Sequence, residues 1–501
     1  MRGVNRLLRR VEGGLWLAMV ALLPVTSMPL VVRLVHSDAV GSPSILLLAA
    51  LMVIWFVPFL WKRGKLPRQS LPLLAFALVA VAATALANFK MIPPYKDISI
   101  LRNSVSSFAT LVIGICFYIA ASVYPASEDK MQRTLRWLNW SGLIVVLWSL
   151  AQTAAWYSAG RYPEWMRTIH SWYSIGTFFR QRTTGFALEP SWLAHQLNLL
   201  FLPFWLAAVV RRQSVNKIRL FGIFIFEDLL LVLGAAVLWL TLSRVGLIAF
   251  LLMIAYLLVR ANVWLNGRMQ IWVVQRWQKE DDHAKGRQRG ISWGITLTML
   301  AVYAGLFLGA GFFLSKVDPR MADLFHFSLS KDNPLLAYAN SLNFSSRLVY
   351  WEGGWNIFND HPFLGVGLGN AGYFFPEKLS GYAMWLVEVR HLLFRSPIML
   401  NVKSLWVRLL TETGIVGFSC FAAWFYLLWQ TGRALEQESR SQWKTIALAG
   451  QFLVIGFIIE GFSVDSFAMP YIWFSAGLVT SAYYSLDAEV VSAPLEGVKV
   501  G

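Results

Sequence analysis

The chain has 501 residues, 57% of them hydrophobic and 15% aromatic, with only 14% charged. Soluble domains carry nearer a quarter of charged residues, so this composition excludes a soluble globular protein and describes a polytopic membrane protein. A net charge of +17 suggests nucleic acid at first sight, but the basic residues fall mostly between apolar segments, where membrane topology accounts for them and no nucleic-acid partner is expected.

In chain order, the N-terminal stretch MRGVNRLLRRVEGGLWLAMVALLPV resembles a signal peptide with a basic leading region. Many apolar segments follow it, so it reads as an uncleaved first helix that starts in the cytoplasm. About twelve spans, each near the ~20 residues a bilayer requires, are expected. They fall at 14–34, 44–61, 70–88, 106–123, 137–157, 190–210, 222–242, 245–264, 291–314, 404–430, 445–463 and 468–485. The even-numbered connections carry Lys62, Arg63, Lys65 and Arg68; Lys130, Arg133 and Arg136; Arg211, Arg212, Lys217 and Arg219; the basic stretch from Arg268 to Arg289; and Arg433, Arg440 and Lys444. That asymmetry puts these loops and both termini in the cytoplasm. The organisation is then a bundle of about nine spans over 1–314, a large outer loop over 315–403, and about three spans with a cytoplasmic tail over 404–501.

The seventh and eighth spans come from one apolar run, Leu229 to Val259, whose single charge is Arg244. About 30 helical residues would reach roughly 45 Å against a hydrocarbon core of about 30 Å, so the run must turn, at Thr241, Ser243 and Arg244. A charge kept at such a hairpin has either an interfacial anchoring role or a task. Glu227 and Asp228 sit awkwardly in the seventh span, and 216–226 is alternatively an interfacial segment.

Three features face outside in this topology: a loop of roughly 30 residues before Pro190, the Arg244 hairpin, and the 315–403 segment. The loop carries Arg161, Arg167, Arg180 and Arg182; the segment carries Arg347, Arg390, Arg395 and Lys403. Guanidiniums gathered at an outer membrane face suit phosphate or pyrophosphate on a lipid, because their planar fork binds oxyanions bidentately. Arg182, Arg244 and Arg347 are preferred, since each stands at or near the start of an apolar or amphipathic element. Solvation suffices to explain Arg161, Arg167, Arg390 and Arg395. Arg408 enters the tenth span with Glu412 one turn on, an i,i+4 pair able to neutralise itself.

Within the segment, Leu348, Trp351, Trp355 and Phe358 recur at helical spacing over 346–359. This amphipathic helix is expected on the membrane surface, with Arg347 toward the headgroups. Pro362 stops it, and Gly365, Gly367 and Gly369 are read as a flexible turn. Gly367 to Gly372 satisfies GxGxxG but follows a proline-stopped helix, not a strand, so a dinucleotide site is rejected. The 24 tryptophans suit interfacial belts and saccharide stacking equally. His36, His170, His195, His283, His326, His361 and His391 show no paired ligand spacing, so no metal is expected. His195 follows Ser191 by one turn, a packing contact along one helix face.

Four elements in order carry a family resemblance: Arg182, Gly185 and Pro190; Ser243, Arg244 and Gly246; Arg347, Trp355, Pro362, Gly365 and Gly367; and Leu410, Glu412, Gly414 and Gly417. Over roughly 180–420 the chain resembles the O-antigen ligase and O-antigen polymerase superfamily. The resemblance implies a GT-C-like, all-α enzyme of the bacterial inner membrane, with its site facing the periplasm. Such enzymes move a glycan from an undecaprenyl-pyrophosphate carrier to an acceptor hydroxyl without a metal or other cofactor. Two departures matter. Where many members, ligases especially, carry His-Asn about nine residues before the last glutamate, this chain has Lys403 and Ser404, and a protonated lysine is a poor base. Around Pro190 it reads Glu-Pro-Ser, as in the polymerase branches, which makes Glu189 the candidate base, provided partial desolvation raises its pKa. A helix N-terminal role for Glu189 is equally compatible with the sequence.

The expected catalytic set is therefore Glu189, Arg244 and Arg347. Arg182, Lys403, Arg408, Trp351, Trp355 and His361 are expected to bind substrate, with a lipid-linked glycan donor and acceptor, the bilayer and a chain-length regulator as partners. The expected reaction is polymerisation of polysaccharide repeat units. A ligase acting on lipid A core or protein is the alternative, and a non-enzymatic transporter of lipid-linked sugar the rival from another class. A transporter would place charges at mid-bilayer on broken helices in two similar halves, and no internal repeat is evident.

Overall fold

The computed structural model describes residues 2–35, 40–87, 89, 92–277, 284–317 and 344–492. Among them, nine helices are long and apolar enough to cross a membrane, which agrees with an all-α membrane protein. In chain order the helices are α1 (Arg2–Leu22), α2 (Pro29–Val35), α3 (Pro43–Trp61), α4 (Arg68–Ala87), α5 (Ile100–Val123), α6 (Glu128–Ala159), α7 (Glu164–Tyr173), α8 (Pro190–Arg211), α9 (Phe226–Leu240), α10 (Arg244–Trp277) and α11 (Ala284–Val317). They continue with α12 (Ser345–Asp360), α13 (Ala371–Lys378), α14 (Val387–Phe394), α15 (Leu405–Glu436), α16 (Ser441–Glu460) and α17 (Pro470–Ser492).

The first and seventh expected spans are altered by breaks in the helix. The first helix ends at Leu22, not near residue 34, and the chain runs through Pro24 to a second short helix starting at Pro29. Proline removes an amide donor and clashes with the preceding turn, so the break falls there. The seventh span shortens to α9, 15 residues, roughly 22 Å of rise. Before it, Arg219–Leu220 (β1) and Phe224–Ile225 (β2) form a small antiparallel hairpin, so this stretch is not part of a helical span. Asp228 then accepts from the amide of Ile225 at 2.8 Å and pairs with Arg212 at 2.9 Å. Glu227 is buried and accepts from Asn139 Nδ2 at 2.9 Å. Both acids thus serve the first turn of α9, where negative charge is favoured. The last expected span, 468–485, corresponds to α17, which starts at Pro470. Residues 318–343 of the expected outer loop, 278–283 of the basic stretch and 493–501 of the tail lie outside the described residues.

The connections sort into two ends. At the basic end, Gln132 Nε2 donates to Gln442 Oε1 at 2.9 Å, Arg136 Nε to the Val215 carbonyl at 2.7 Å, and the Tyr484 hydroxyl to the Lys65 carbonyl at 2.9 Å. Arg211 and Arg260 both reach Glu436, at 3.2 and 2.7 Å. At the other end, the hairpin end, the amide of Ile175 bonds the Ser27 carbonyl, that of Thr183 the Leu240 carbonyl, and that of Leu405 the Gly461 carbonyl. Loops assigned to one side by their charges therefore meet each other, and the remaining loops meet at the opposite end.

Between the ends the core is aromatic. Phe421, Phe425 and Phe457 stack on one another, Trp424 meets Phe421 and Phe425 edge-on, and Trp473 lies against Trp424 with centroids 5.5 Å apart. Gly114 on α5 is where this indole crosses: a Cβ there would fall 2.4 Å from the Trp473 ring. Close backbone approach at small residues is the ordinary way membrane helices gain van der Waals contact.

Candidate functional site

The Arg182 loop is built from one buried glutamine. Gln152 Oε1, on α6, accepts from Thr183 Oγ1 at 2.8 Å and from the amides of Thr184 and Gly185 at 3.1 and 3.0 Å. Its Nε2 donates to the Gly185 carbonyl at 2.9 Å. Gly185 has φ +56°, and a Cβ there would come within 2.9 Å of Ser149 Oγ, which explains the glycine of the Arg-x-x-Gly element. Clamped in this way, Arg182 donates from Nε to the Thr241 carbonyl at 2.8 Å. The loop and the Arg244 hairpin are thus one structure.

At that hairpin α9 ends and α10 begins, so the apolar run does divide at Thr241 to Ser243. Ser243 Oγ accepts from the Gly246 amide at 3.3 Å, a side-chain cap on the first turn of α10. Gly246 lies where α10 crosses α8: a Cβ would be 2.7 Å from that of Ala194. Ser-Arg-x-Gly therefore reads as cap, cation and helix crossing. Arg244 stands at a helix N-terminus, where the macrodipole disfavours a cation and favours a bound anion.

The third and fourth elements interlock. α15 breaks at Gly414 (φ 62°, ψ −169°). The break frees the carbonyls of Thr411 and Glu412, which accept from the amides of Val366 and Gly367 at 3.0 and 2.9 Å. In return the amides of Ile415 and Val416 donate to the carbonyls of Pro362 and Phe363 at 2.8 and 3.3 Å. Backbone groups unsatisfied by a helix break must find partners inside a membrane protein, and the Pro-x-x-Gly-x-Gly loop supplies them. A Cβ at Gly365 would lie 2.5 Å from the Thr411 carbonyl oxygen, and one at Gly414 would lie 2.2 Å from that of Phe363. Gly365, Gly367 and Gly369 all have positive φ, but the expected flexible turn is a buried plug: Val366, Leu368 and Asn370 are almost fully covered. The Leu368 amide bonds Thr84 Oγ1 at 2.8 Å, on α4.

Beside this plug lies a cavity of about 400 Å³. One stripe of α5 lines it (Asn103, Ser106, Ser107 and Thr110), facing Leu188, Trp192, Asn401, Arg408, Glu412, Asp465 and Ser466. Arg408 Nε pairs with Glu412 Oε2 at 2.9 Å, as its i,i+4 spacing suggested. The same guanidinium donates to the Asp465 carbonyl and covers the Phe467 ring at 4.8 Å. Asp465 Oδ2 is buried without a hydrogen-bond partner among the described residues.

Arg347 is half-buried on the first turn of α12 and donates to the Lys403 carbonyl at 3.3 Å. Burial pushes its guanidinium down from the usual arginine range, while the negative charges of Asp465, Glu388 and Glu189, in that order, oppose this. Arg347 is thereby in electrostatic reach of the loop before α8 and of the turn before α17. Glu189 caps α8 ahead of Pro190 and accepts from Ser191 Oγ at 3.2 Å. The Glu189 side chain stands exposed at the helix mouth. Lys403 takes φ +57°, in the left-handed region, so the turn before α15 is set by backbone as well as charge.

The face of α12 that packs inward is distinct from the apolar stripe expected at the membrane surface. Val349, Tyr350, Gly353, Gly354 and Ile357 face inward, while Trp355 is 51% exposed. A Cβ at Gly354 would lie 2.7 Å from Val407 Cγ1, so the paired glycines let α12 lie directly on α15. Trp351 packs on Phe344 and Phe462, Trp355 on Phe358, and His361 caps α12 beside Phe374. His195 pairs with Glu460 of α16 at 2.5 Å, not with Ser191. Gln152 was missed as a contributor, since its partners are distant in sequence; Glu460 and Asp465, which flank the outer turn before the last span, reach His195 and the cavity respectively. Among the described residues no group of three or more His, Cys, Asp or Glu stands close enough to hold a metal ion; His36, His283 and His326 lie outside them.

Residues 229–422 match the family model described as O-antigen ligase. No curated protein matches the chain. The matched stretch runs from the Arg244 hairpin through Arg347 and the glycine plug to the broken helix, so this part of the chain is similar to O-antigen ligases.

Proposed function

We propose that this chain is a polysaccharide polymerase of the bacterial inner membrane, with the hairpin end facing the periplasm. It joins undecaprenyl-pyrophosphate-linked repeat units by metal-independent transfer of the GT-C kind. Arg182, Arg244 and Arg347 hold the donor diphosphate. The acceptor hydroxyl oxygen attacks the anomeric carbon, the bond from that carbon to the phosphate oxygen breaks, and the diphosphate leaves with the electron pair. Guanidiniums and the N-terminus of α10 stabilise the charge that grows on it. Glu189 takes the hydroxyl proton as general base.

The observation that carries this reading is the contact of the Arg182 loop with the Arg244 hairpin. It brings Arg182 to the turn that carries Arg244, which supports two cations serving one oxyanion, at the end where Arg347 also feels Glu189. The polar cavity beside Arg408 suits a saccharide, with Trp192 as a stacking face. Lys403, Trp351, Trp355 and His361 border the glycan path, and a chain-length regulator is the expected protein partner. The matching family model favours a second reading, ligation of a finished glycan to lipid A core or protein.

Purified protein given a synthetic polyprenyl-pyrophosphate repeat unit is the test. A ladder of products with release of free carrier diphosphate is expected. A single transfer onto lipid A core supports the ligase instead, and movement of intact donor without bond formation identifies a transporter.

A further inference from the structure

Beneath the hairpin lies a polar cluster that the proposed chemistry does not use. Glu460, at the last turn of α16, is fully buried. Its Oε2 meets His195 Nδ1 at 2.5 Å and its Oε1 accepts from Asn198 Nδ2 at 2.6 Å. Asn198 Nδ2 also donates to the Gly246 carbonyl at 2.8 Å, two residues beyond Arg244. His195 and Asn198 are themselves buried, and both lie on α8. Asn198 falls in a five-residue π-helical turn, Leu197–Phe201. Such widened turns are rare and collect at functional positions.

The geometry points to a positioning network: Glu460 with His195 and Asn198 fixes the first turn of α10 against α8, and so sets where Arg244 presents its guanidinium relative to Glu189. One carboxylate on α16 reaches α8 directly and α10 through Asn198. α8 begins at the Glu189 cap, α10 begins at Arg244, and α16 leads into the turn that carries Asp465. Ionisable groups this deep in a membrane bundle are costly and are kept where they have a task. A packing role alone would be met by apolar side chains of similar volume, often without loss of stability. Placement matters because a shift of about 1 Å in a group that stabilises transition-state charge can cost on the order of a hundredfold in rate.

This inference rests on Arg244 acting on the donor diphosphate, so the test has one readout that needs no activity. Hydrogen exchange of full-length protein in detergent is compared between wild type and Glu460→Gln. Faster exchange is expected in peptides covering the Arg244 turn, with the buried end of α15 unchanged. Turnover per folded molecule is measured for Glu460→Gln, His195→Leu and His195→Asn, with folded protein counted by size exclusion. The first two are expected to lose about tenfold or more in kcat while the donor KM stays within about twofold. His195→Asn is expected to recover most of the rate, because its amide nitrogen can replace Nδ1 as the donor to Glu460. Unchanged exchange at the Arg244 turn, or full turnover in both Glu460→Gln and His195→Leu, overturns the network. If wild type makes no glycosidic bond, the polymerase reading fails, and the exchange comparison still decides whether Glu460 holds the hairpin.

Discussion

Replacing Gly414 with alanine attacks the junction between the broken helix and the glycine plug. Its φ of 62° with ψ of −169° is a conformation that essentially only glycine adopts. The added Cβ would lie 2.2 Å from the Phe363 carbonyl oxygen and 2.5 Å from the Leu364 nitrogen. Both are backbone atoms held by neighbouring bonds, so no side chain can move aside. Relief requires separating the plug from α15, which puts at risk the four reciprocal backbone hydrogen bonds at 362–367 and 411–416. At about 0.5–1.5 kcal/mol net for each bond and about 1–3 kcal/mol for the conformational strain, losing two bonds gives a penalty of about 2–6 kcal/mol. An unfolding entropy of about 2.1 cal/mol/K per residue makes 1 kcal/mol worth about 1 °C in a chain of this size, so a fall in melting temperature of about 2–6 °C is expected. The assay is thermal unfolding in detergent followed by size exclusion. Gly294→Ala is the control: that glycine is exposed on α11 with nothing near its Cβ, and alanine there should hold or slightly raise stability. A Gly414→Ala protein that melts with wild type would refute the reciprocal-pairing account of the two glycine motifs.

Arg244→Ala and Arg347→Ala should each lower turnover by about two to three orders of magnitude with normal membrane insertion, as loss of a donor to a developing oxyanion does; normal chain length in either variant removes that residue from the site. Glu189→Gln should abolish bond formation while donor binding persists, and an intact rate would exclude Glu189 as the base. Added chelator should leave the rate unchanged, whereas a loss restored by a divalent cation would contradict metal-independent transfer. A pH effect on stability is expected from His170, outside the membrane-spanning segments. Burial pushes its imidazole down from 6.5, with the hydrogen bond to the Gly176 carbonyl opposing in part. The unfolded loop then binds more protons below about pH 6.5, so stability is full above that value and falls as pH drops through the lowered folded-state pKa. Melting temperature should fall on acidification to about pH 5.5, and His170→Asn should flatten that slope; an identical slope in the variant would assign the effect elsewhere.

The hairpin at Arg244 was legible in the sequence because one charge interrupts an apolar run too long for a single crossing. The sorting of loops into two ends was legible from Lys and Arg alone. Other features were hidden by the limits of local pattern. Leu348, Trp351, Trp355 and Phe358 make the more conspicuous stripe on α12, yet the packed face runs through Gly353 and Gly354, because contact with α15 needs small residues more than apolar ones. The spacing of Gly365, Gly367 and Gly369 signals positive φ, but not whether the turn is mobile or pressed against a broken helix. Ser191 looked like the partner of His195 because helical spacing shows only neighbours along one helix. The true partner, Glu460, lies 265 residues away. Gln152 organises the Arg182 loop from within an otherwise apolar span, and nothing local marks it.

The central claim is that guanidiniums from three distant stretches of chain converge on one lipid-borne diphosphate. A cryo-EM structure of the protein with bound polyprenyl pyrophosphate tests it most directly. The account predicts both phosphates at the hairpin end, within hydrogen-bond reach of Arg182, Arg244 and Arg347. Phosphates seated at the basic end, or held by other side chains while these three point elsewhere, would contradict it.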